Sequence, residues 1–424
     1  MKLSAAVPVA QSPDEVWHAL LALLPSGPEL ERVARTTGAI RRKRGVKGAT
    51  ELLRIALSYS FCNLSFKDTA AWSYANQTAA ISKWGVLHRL RRCGDWLVEL
   101  VSQKLSTQIP PVTIGGFALK LIDASRIAQP GSKGETWRLH AVYDPLAGRL
   151  LDLQLTGNEG GERLDRFEFA PGDLVIGDRG YAHRRGLAHV AASSADFLVR
   201  INWYNVPLEH RDGGSFDLFG FLRGLKGEVP GEVTVRTVAD KRNGIPSTEC
   251  RLVAVRKPEE AAEAARAKVI AEAKKQKRTL TPQTLEACGY VLVLTSVTTK
   301  ALDAVQVLAL YKLRWQIELL FKRMKSLLKV DSLRTRHVET ARAAIAAKIL
   351  GALLVQELAS LAGVGASWNY TQLMGKALEQ ALLGCEAVKR LIVNPALPVP
   401  WLKEAPRSRQ QQCPVTWALL LDCS

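Results

Sequence analysis

Over roughly the first hundred residues the apolar positions recur at helical spacing. Val16, Trp17, Ala19, Leu20 and Leu23 form one such set, and Leu52, Leu53, Ile55, Ala56 and Leu57 another; this predicts amphipathic helices. Pro110-Pro111 and Gly115-Gly116 then punctuate the chain, and such pairs mark boundaries. Beyond them the texture becomes that of strands. FALKLIDAS, TWRLHAVYD and RLLDLQLT follow in order, with Asp144 to Gly148 between the last two, a turn that predicts a hairpin. A short helix is expected over 162–169. DLVIGDRGYA reads as a buried strand, an acid and a Gly turn, RRGLAHVAASS as a helix and DFLVRIN as a fifth strand. Three strands, a helix, a strand, a helix and a strand predict a mixed five-stranded sheet covered by helices, an α/β class.

Residues 203–288 interrupt this alternation. Strand-like pieces at 233–238 and 251–255 precede an Ala-rich charged run, PEEAAEAARAKVIAEAKKQKR; the segment is expected to be a β-rich insertion subdomain. YVLVLTS returns to the main sheet, 301–330 reads as one amphipathic helix, and 339–361 as another. The expected organisation is therefore a helical region 1–110, a core in two parts, 111–202 and 289–335, split by the insertion, and a C-terminal helical region 336–424 ending in a polar, Pro-rich tail.

Composition narrows the class. The chain has 424 residues, 47% of them hydrophobic, enough for more than one core, and no apolar run approaches the roughly 18 residues that cross a bilayer. Its start holds one Lys and a weakly apolar stretch followed at once by Asp14 and Glu15, so no secretory signal is expected. Seven Cys are scattered with no CxxC pair, which suggests neither disulfides nor zinc and fits a reducing cytoplasm. Charge changes the picture most: 58 Lys and Arg against 40 Asp and Glu, a net +18, point to a polyanionic partner. Nucleic acid is favoured over a membrane surface, because no terminal amphipathic helix carries a lysine-rich face. Arg41, Arg42, Lys43, Arg44 and Lys47, and then Lys83, His88, Arg89, Arg91 and Arg92, either lie on DNA phosphates or are the solvated faces of a bundle. Trp72, Trp84 and Trp96 read as core anchors.

Three acids stand out by placement. Asp123 is expected at the end of the first core strand, Asp178 at the end of the fourth, and Glu318 within a helix. Strand-end acids joined by a helical Glu offer the oxygen donors that hard divalent cations take, and two such cations can serve an attacking and a leaving oxygen. At about 100° per residue, Tyr311, Arg314, Glu318 and Lys325 fall within a ~60° arc along ~21 Å of helix, with Lys322 on its edge. The apolar set Leu313, Ile317, Leu320, Phe321, Met324 and Leu328 lies off that stripe. On geometry alone the stripe is equally a solvated face with a spaced Glu–Arg pair.

The spacing Tyr311-x2-Arg314-x3-Glu318-x6-Lys325, with Asp178-Arg179-Gly180-Tyr181 and Leu121-Ile122-Asp123-Ala124-Ser125, resembles the signature of bacterial DDE transposases of the group named after insertion sequence four. The resemblance covers about residues 35–350. It implies an RNase H-like core with a β-rich insertion, and Asp123, Asp178 and Glu318 as a catalytic, metal-binding triad for two Mg²⁺ ions, which Mn²⁺ would replace. It also implies that Tyr311, Arg314, Lys325 and the neighbouring Lys322 contact the DNA end. Tyr290 stands where the family often has a Trp that stacks on a flipped base. The implied reaction is phosphoryl transfer, with water and then a 3′-OH as nucleophile, on double-stranded DNA bearing terminal inverted repeats and on target DNA. A homodimer in a synaptic complex and a place in the bacterial cytoplasm at the nucleoid follow from the same resemblance; the dimer interface is expected in the C-terminal helices. The rival readings are an RNase H-like nuclease or resolvase without strand transfer, and a DNA-binding descendant that does not cut.

Overall fold

The computed structural model describes residues 13–106, 112–326, 329–361 and 382. Six helices open the chain: α1 (Pro13–Ala22), α2 (Gly27–Thr36), α3 (Ala49–Phe61), α4 (Phe66–Ala75), α5 (Lys83–Arg92) and α6 (Gly94–Leu105). Local chemistry sets their starts. Ser65 accepts a hydrogen bond from the Asp68 amide while the Asp68 carboxylate accepts from Ser65, a reciprocal cap that satisfies two otherwise orphaned donors. Arg89 of α5 donates to the carbonyls of Arg42 and Arg44, so it holds the basic loop in place instead of facing solvent. Trp72 and Trp96 are buried as expected, but Trp84 is 61% exposed, with Lys83 over its ring; it anchors no core.

Next come β1 (Thr113–Ile114), β2 (Phe117–Ile127), β3 (Trp137–Asp144), β4 (Arg149–Gly157), β5 (Asp173–Gly177), α7 (Arg184–Ala192) and β6 (Asp196–Arg200). The expected hairpin is present, Asp144 pairing with Arg149 across the turn. The helix expected over 162–169 is only a 3₁₀ turn, Leu164–Arg166. Phe167 is already extended, which lets it and Leu164 both be buried in one core. The segment that follows gives β7 (Leu208–Glu209), α8 (Leu218–Arg223), β8 (Gly231–Thr237), β9 (Glu249–Arg256), α9 (Glu259–Lys275) and α10 (Pro282–Ala287). The chain returns through β10 (Tyr290–Thr295), α11 (Ala304–Lys312), α12 (Trp315–Ser326) and α13 (Val338–Leu361). The Pro-rich tail lies outside the described residues.

The sheet has ten strands in the order β4-β3-β2-β5-β6-β10-β9-β8-β7, with β1 beside β2. β3 is antiparallel to both β2 and β4, β5 and β6 run parallel to β2, and β10 is antiparallel to both β6 and β9. Strands β7 to β9 thus extend the same sheet beyond β10. Arg251 ties them in: its buried guanidinium donates to the Val297 carbonyl at 2.7 Å and pairs with Glu232.

Successive strand residues point to opposite faces, and here both faces are covered. Leu119, Leu121, Leu174, Ile176, Leu198 and Val293 enter a core shared with the N-terminal helices, α12 and α13. Ile122, Val175, Phe197, Val199, Leu292 and Leu294 enter a second core on the side of α7 and α8. α13 lies against α3, α5 and α6, so the N-terminal bundle closes over the first layer.

Candidate active site

Asp123 is not at the end of its strand, since β2 runs on to Ile127. What ends there is the parallel pairing: the last β2–β5 pair is Ile122 with Gly177. Asp123 and Asp178 each follow that pair by one residue, so they leave adjacent strands side by side. By parity with Leu119 and Leu121, and with Leu174 and Ile176, both project toward the layer that holds α12. The Asp178 carboxylate accepts from the Gly180 amide at 2.7 Å, and that of Asp123 from the Ala124 amide at 2.8 Å.

Glu318 approaches Asp123 from α12, which packs on β2. The expected single helix over 301–330 is broken. Leu313 and Arg314 form a turn between α11 and α12, with amide-to-carbonyl bonds Leu313 to Leu310, Arg314 to Tyr311, Gln316 to Leu313 and Ile317 to Arg314. Such i→i+3 bonds tighten the turn to about three residues, which eclipses residues three apart. Arg314 accordingly sits over the Tyr311 ring, 5.9 Å from its centroid, instead of ~60° away. From there its guanidinium hydrogen-bonds Glu318 and lies 3.8 Å from Asp123.

Asp123, Glu318, Lys322 and Lys325 line a groove of about 510 Å³ with Ala124, Ser125, Phe321, Ser326 and Asp331. Lys325 donates to the Arg126 carbonyl at 3.0 Å. Tyr290 is placed elsewhere. It is 8% exposed and belongs to the opposite core layer, and Arg256 covers its ring and donates to its hydroxyl at 3.3 Å. As it stands that ring offers no open face for stacking. Trp315, beside Arg314, is 61% exposed.

Three residues at the site had no role in the sequence reading. Arg200 ends β6 as Asp178 follows β5, and its guanidinium lies beside Arg179, Tyr311 and Arg314; burial holds it below the usual arginine range. The signal was there, a cation closing an otherwise apolar strand. Glu162, in the loop after β4, approaches Asp178, and burial and then Asp178 push its carboxyl up. The Tyr181 hydroxyl, fully buried and without a hydrogen-bond partner, lies in the field of Asp123, Glu162 and Asp178. Neither Glu162 nor the pose of Tyr181 has a periodic signature in sequence.

Electrostatics mark Asp123. Burial, with Asp178 and Glu318 adding repulsion, pushes its carboxyl up to about 7 against the pull of the Ala124 amide and Arg314. Among the described residues no three of Asp, Glu, His and Cys yet close around one point. The donors nevertheless suit a hard divalent cation: they are all carboxylate oxygens, they repel one another, and Arg314 partly neutralises Asp123 and Glu318 through an ion pair with each.

A pH dependence follows. A carboxyl raised on folding is stabilising below its unfolded value, near 3.8, and that contribution is lost as pH rises through about 7. In cation-free protein the calorimetric midpoint should therefore fall from pH 5 to pH 8 by more than it does in Asp123→Asn (roughly the window set by that raised carboxyl). Parallel profiles for the two proteins would refute the burial of this carboxylate.

Residues 116–354 match the family described as Transposase DDE domain. The chain is 38% identical over 346 residues to the protein named as the InsL transposase of insertion sequence element IS186A of Escherichia coli (strain K12), a match covering 81% of this chain and 93% of that one. It is likewise 38% identical over 347 residues, with the same coverage, to the transposase for insertion sequence element IS421 of Escherichia coli. A piggyBac transposase in a synaptic complex with hairpin DNA aligns over 90% of this chain and 82% of that chain at TM-score 0.47 and 10% identity, too distant to argue from. With more than half its length matched by the domain and four-fifths by the relatives, this chain belongs to the DDE transposases of bacterial insertion sequences.

Proposed function

We propose that Asp123, Asp178 and Glu318 are the acids with which this transposase cuts and joins the ends of its element. The observation that carries the reading is the register: Asp123 and Asp178 leave neighbouring parallel strands together, on the face over which α12 brings Glu318. The order β4-β3-β2-β5-β6, with its first three strands antiparallel and the last two parallel to β2, supports an RNase H-like core. These carboxylates would hold divalent cations, Mg²⁺ by preference, which supply Lewis-acid stabilisation of a phosphoryl group.

The chain's own cations do the rest. Arg314, set by the turn at 313–314, and Arg200 converge on Tyr311 and would hold phosphates of the DNA end. Lys322 and Lys325 would hold the strand that lies in the groove. Tyr290 would join them only with its Arg256 cover lifted. The exposed cations of 41–47 and Lys83, with Trp84, give the N-terminal bundle a surface for duplex DNA. Water attacks a phosphodiester at the element's end, breaking its bond to the 3′-oxygen and freeing a 3′-OH; that hydroxyl then attacks a target phosphodiester and joins its phosphate as the target's own 3′-oxygen leaves. Two copies of the chain, one per end, would form the synaptic complex.

The test is a strand-transfer assay with Mg²⁺ and a duplex ending in the element's terminal repeat. Joined products are expected. Nicking without joining would replace the reading by that of a nuclease or resolvase. Binding without nicking would make the chain a DNA-binding descendant.

A further inference from the structure

Glu162 stands apart from its neighbours in having no adequate partner. Arg138, the nearest cation, is engaged with Glu135 through two hydrogen bonds, at 2.7 and 3.0 Å, and stays 3.9 Å from Glu162. No hydrogen bond from any described residue reaches the Glu162 carboxylate. Yet that carboxylate is pressed against the Asp178-Arg179-Gly180 turn. A Cβ on Gly180 would fall 1.8 Å from Glu162 Oε2 and 3.1 Å from Asp178 Oδ1. The glycine is therefore not serving a left-handed conformation; it makes room for a second carboxylate beside Asp178.

An independent observation points at the same place. Tyr181 is fully buried, its hydroxyl is unpartnered, and it lies in the field of Asp123, Glu162 and Asp178, with Arg138 opposing them. Burying a hydroxyl with no hydrogen bond is costly. Burying it among carboxylates makes sense if it orients one of them, or a water held by them. Tyr181 comes from the second core, on the α7 side, and Glu162 from the loop that enters that core at Leu164. Glu318 comes from the opposite layer, so the acids meet at the sheet end from both faces.

We propose that Glu162 is a fourth carboxylate of the centre, an oxygen ligand for divalent cation beside Asp178, given room by Gly180 and oriented by the Tyr181 hydroxyl. This rests on Asp178 being a ligand. Tyr181 is a positioning residue, acting through the carboxylates whose field its hydroxyl shares.

The experiment is a titration of the full chain with Mn²⁺ alone, read by the electron paramagnetic resonance of the free ion. Removing a ligand or its support lowers metal affinity by about 10–100-fold. Glu162→Gln should weaken Mn²⁺ binding by about tenfold or more, Glu162→Asp should recover part of that, and Tyr181→Phe should weaken it by less than Glu162→Gln does. Gly180→Ala, which displaces the carboxylate without removing it, should mimic Glu162→Gln and serves as the second arm if that protein fails to fold. Affinity within about twofold of the unsubstituted chain in both Glu162→Gln and Gly180→Ala would overturn the proposal, since a lost ligand costs more. Asp178→Asn separates the two layers of the argument. If it leaves Mn²⁺ binding intact, the site itself is misread; if it abolishes binding while the Glu162 and Gly180 variants bind normally, only the fourth carboxylate falls.

Discussion

Glu318→Gln is expected to lower cation-dependent cleavage of the element's end by about 10³-fold or more, because a cation or donor acting on the developing charge is worth several kcal/mol. The substitution keeps size and shape, and the Gln carbonyl can still accept from Arg314. What it removes is one negative oxygen donor. Affinity for the DNA end should stay within about threefold, since phosphate contacts are made by cations. Stability should change by less than about 1 kcal/mol, the usual range for an ion pair at the surface, because the Glu318 side chain is 42% exposed. Nicking of an end-labelled duplex and anisotropy with the same duplex measure the two quantities. Undiminished nicking would remove Glu318 from the chemistry. A parallel loss of binding would recast it as the residue that merely holds Arg314. The geometry makes that alternative concrete, because Arg314 bridges Glu318 and Asp123 and would collapse onto Asp123 if released.

Trp96→Ala should cost about 3–5 kcal/mol of stability, the usual range for deleting a large buried aromatic. Trp96 is fully buried in α6, a helix against which α13 packs. Its indole N–H has no hydrogen-bond partner, so the loss is one of burial and of the cavity left behind. Chemical denaturation gives the value through the shift in midpoint. Trp84→Ala is the matched control: at 61% exposure it should change stability by no more than about 0.5 kcal/mol. Similar costs for the two would contradict the packing of the bundle.

Much of the core was legible because the sheet follows two simple rules. Strands β2 to β6 and β10 alternate or run apolar at strand length, and turn residues separate them. The place of Asp178 was legible because it follows an apolar strand at a Gly turn. The break between α11 and α12 was not, since Tyr311 to Ile317 contains neither Pro nor Gly; the tightening shows only in i→i+3 bonds, and it brings Arg314 over the Tyr311 ring. The burial of Tyr290 was illegible for a different reason. With both faces of the sheet covered, apolar residues at 291 and 292 do not reveal which layer an aromatic beside them enters. Trp84 misled because an amphipathic pattern assigns a Trp to the core, whereas it lies exposed on α5 with Lys83 over its ring. Glu162 depends on contacts across the sheet end that no local pattern encodes.

The way the segment from β7 to α10 joins the sheet bears on how modular this protein is. An insertion that forms its own body can be cut out and its ends rejoined. Here β9 forms a ladder of six pairs with β10, from Tyr290–Arg256 to Thr295–Arg251. Excision would bare one whole side of YVLVLT, an apolar strand without charge or proline, in what is now the middle of the sheet. Such an edge is a template for pairing with another chain. The segment is thus a shield as well as an addition, and a shortened relative that lost it would have to cover that strand anew.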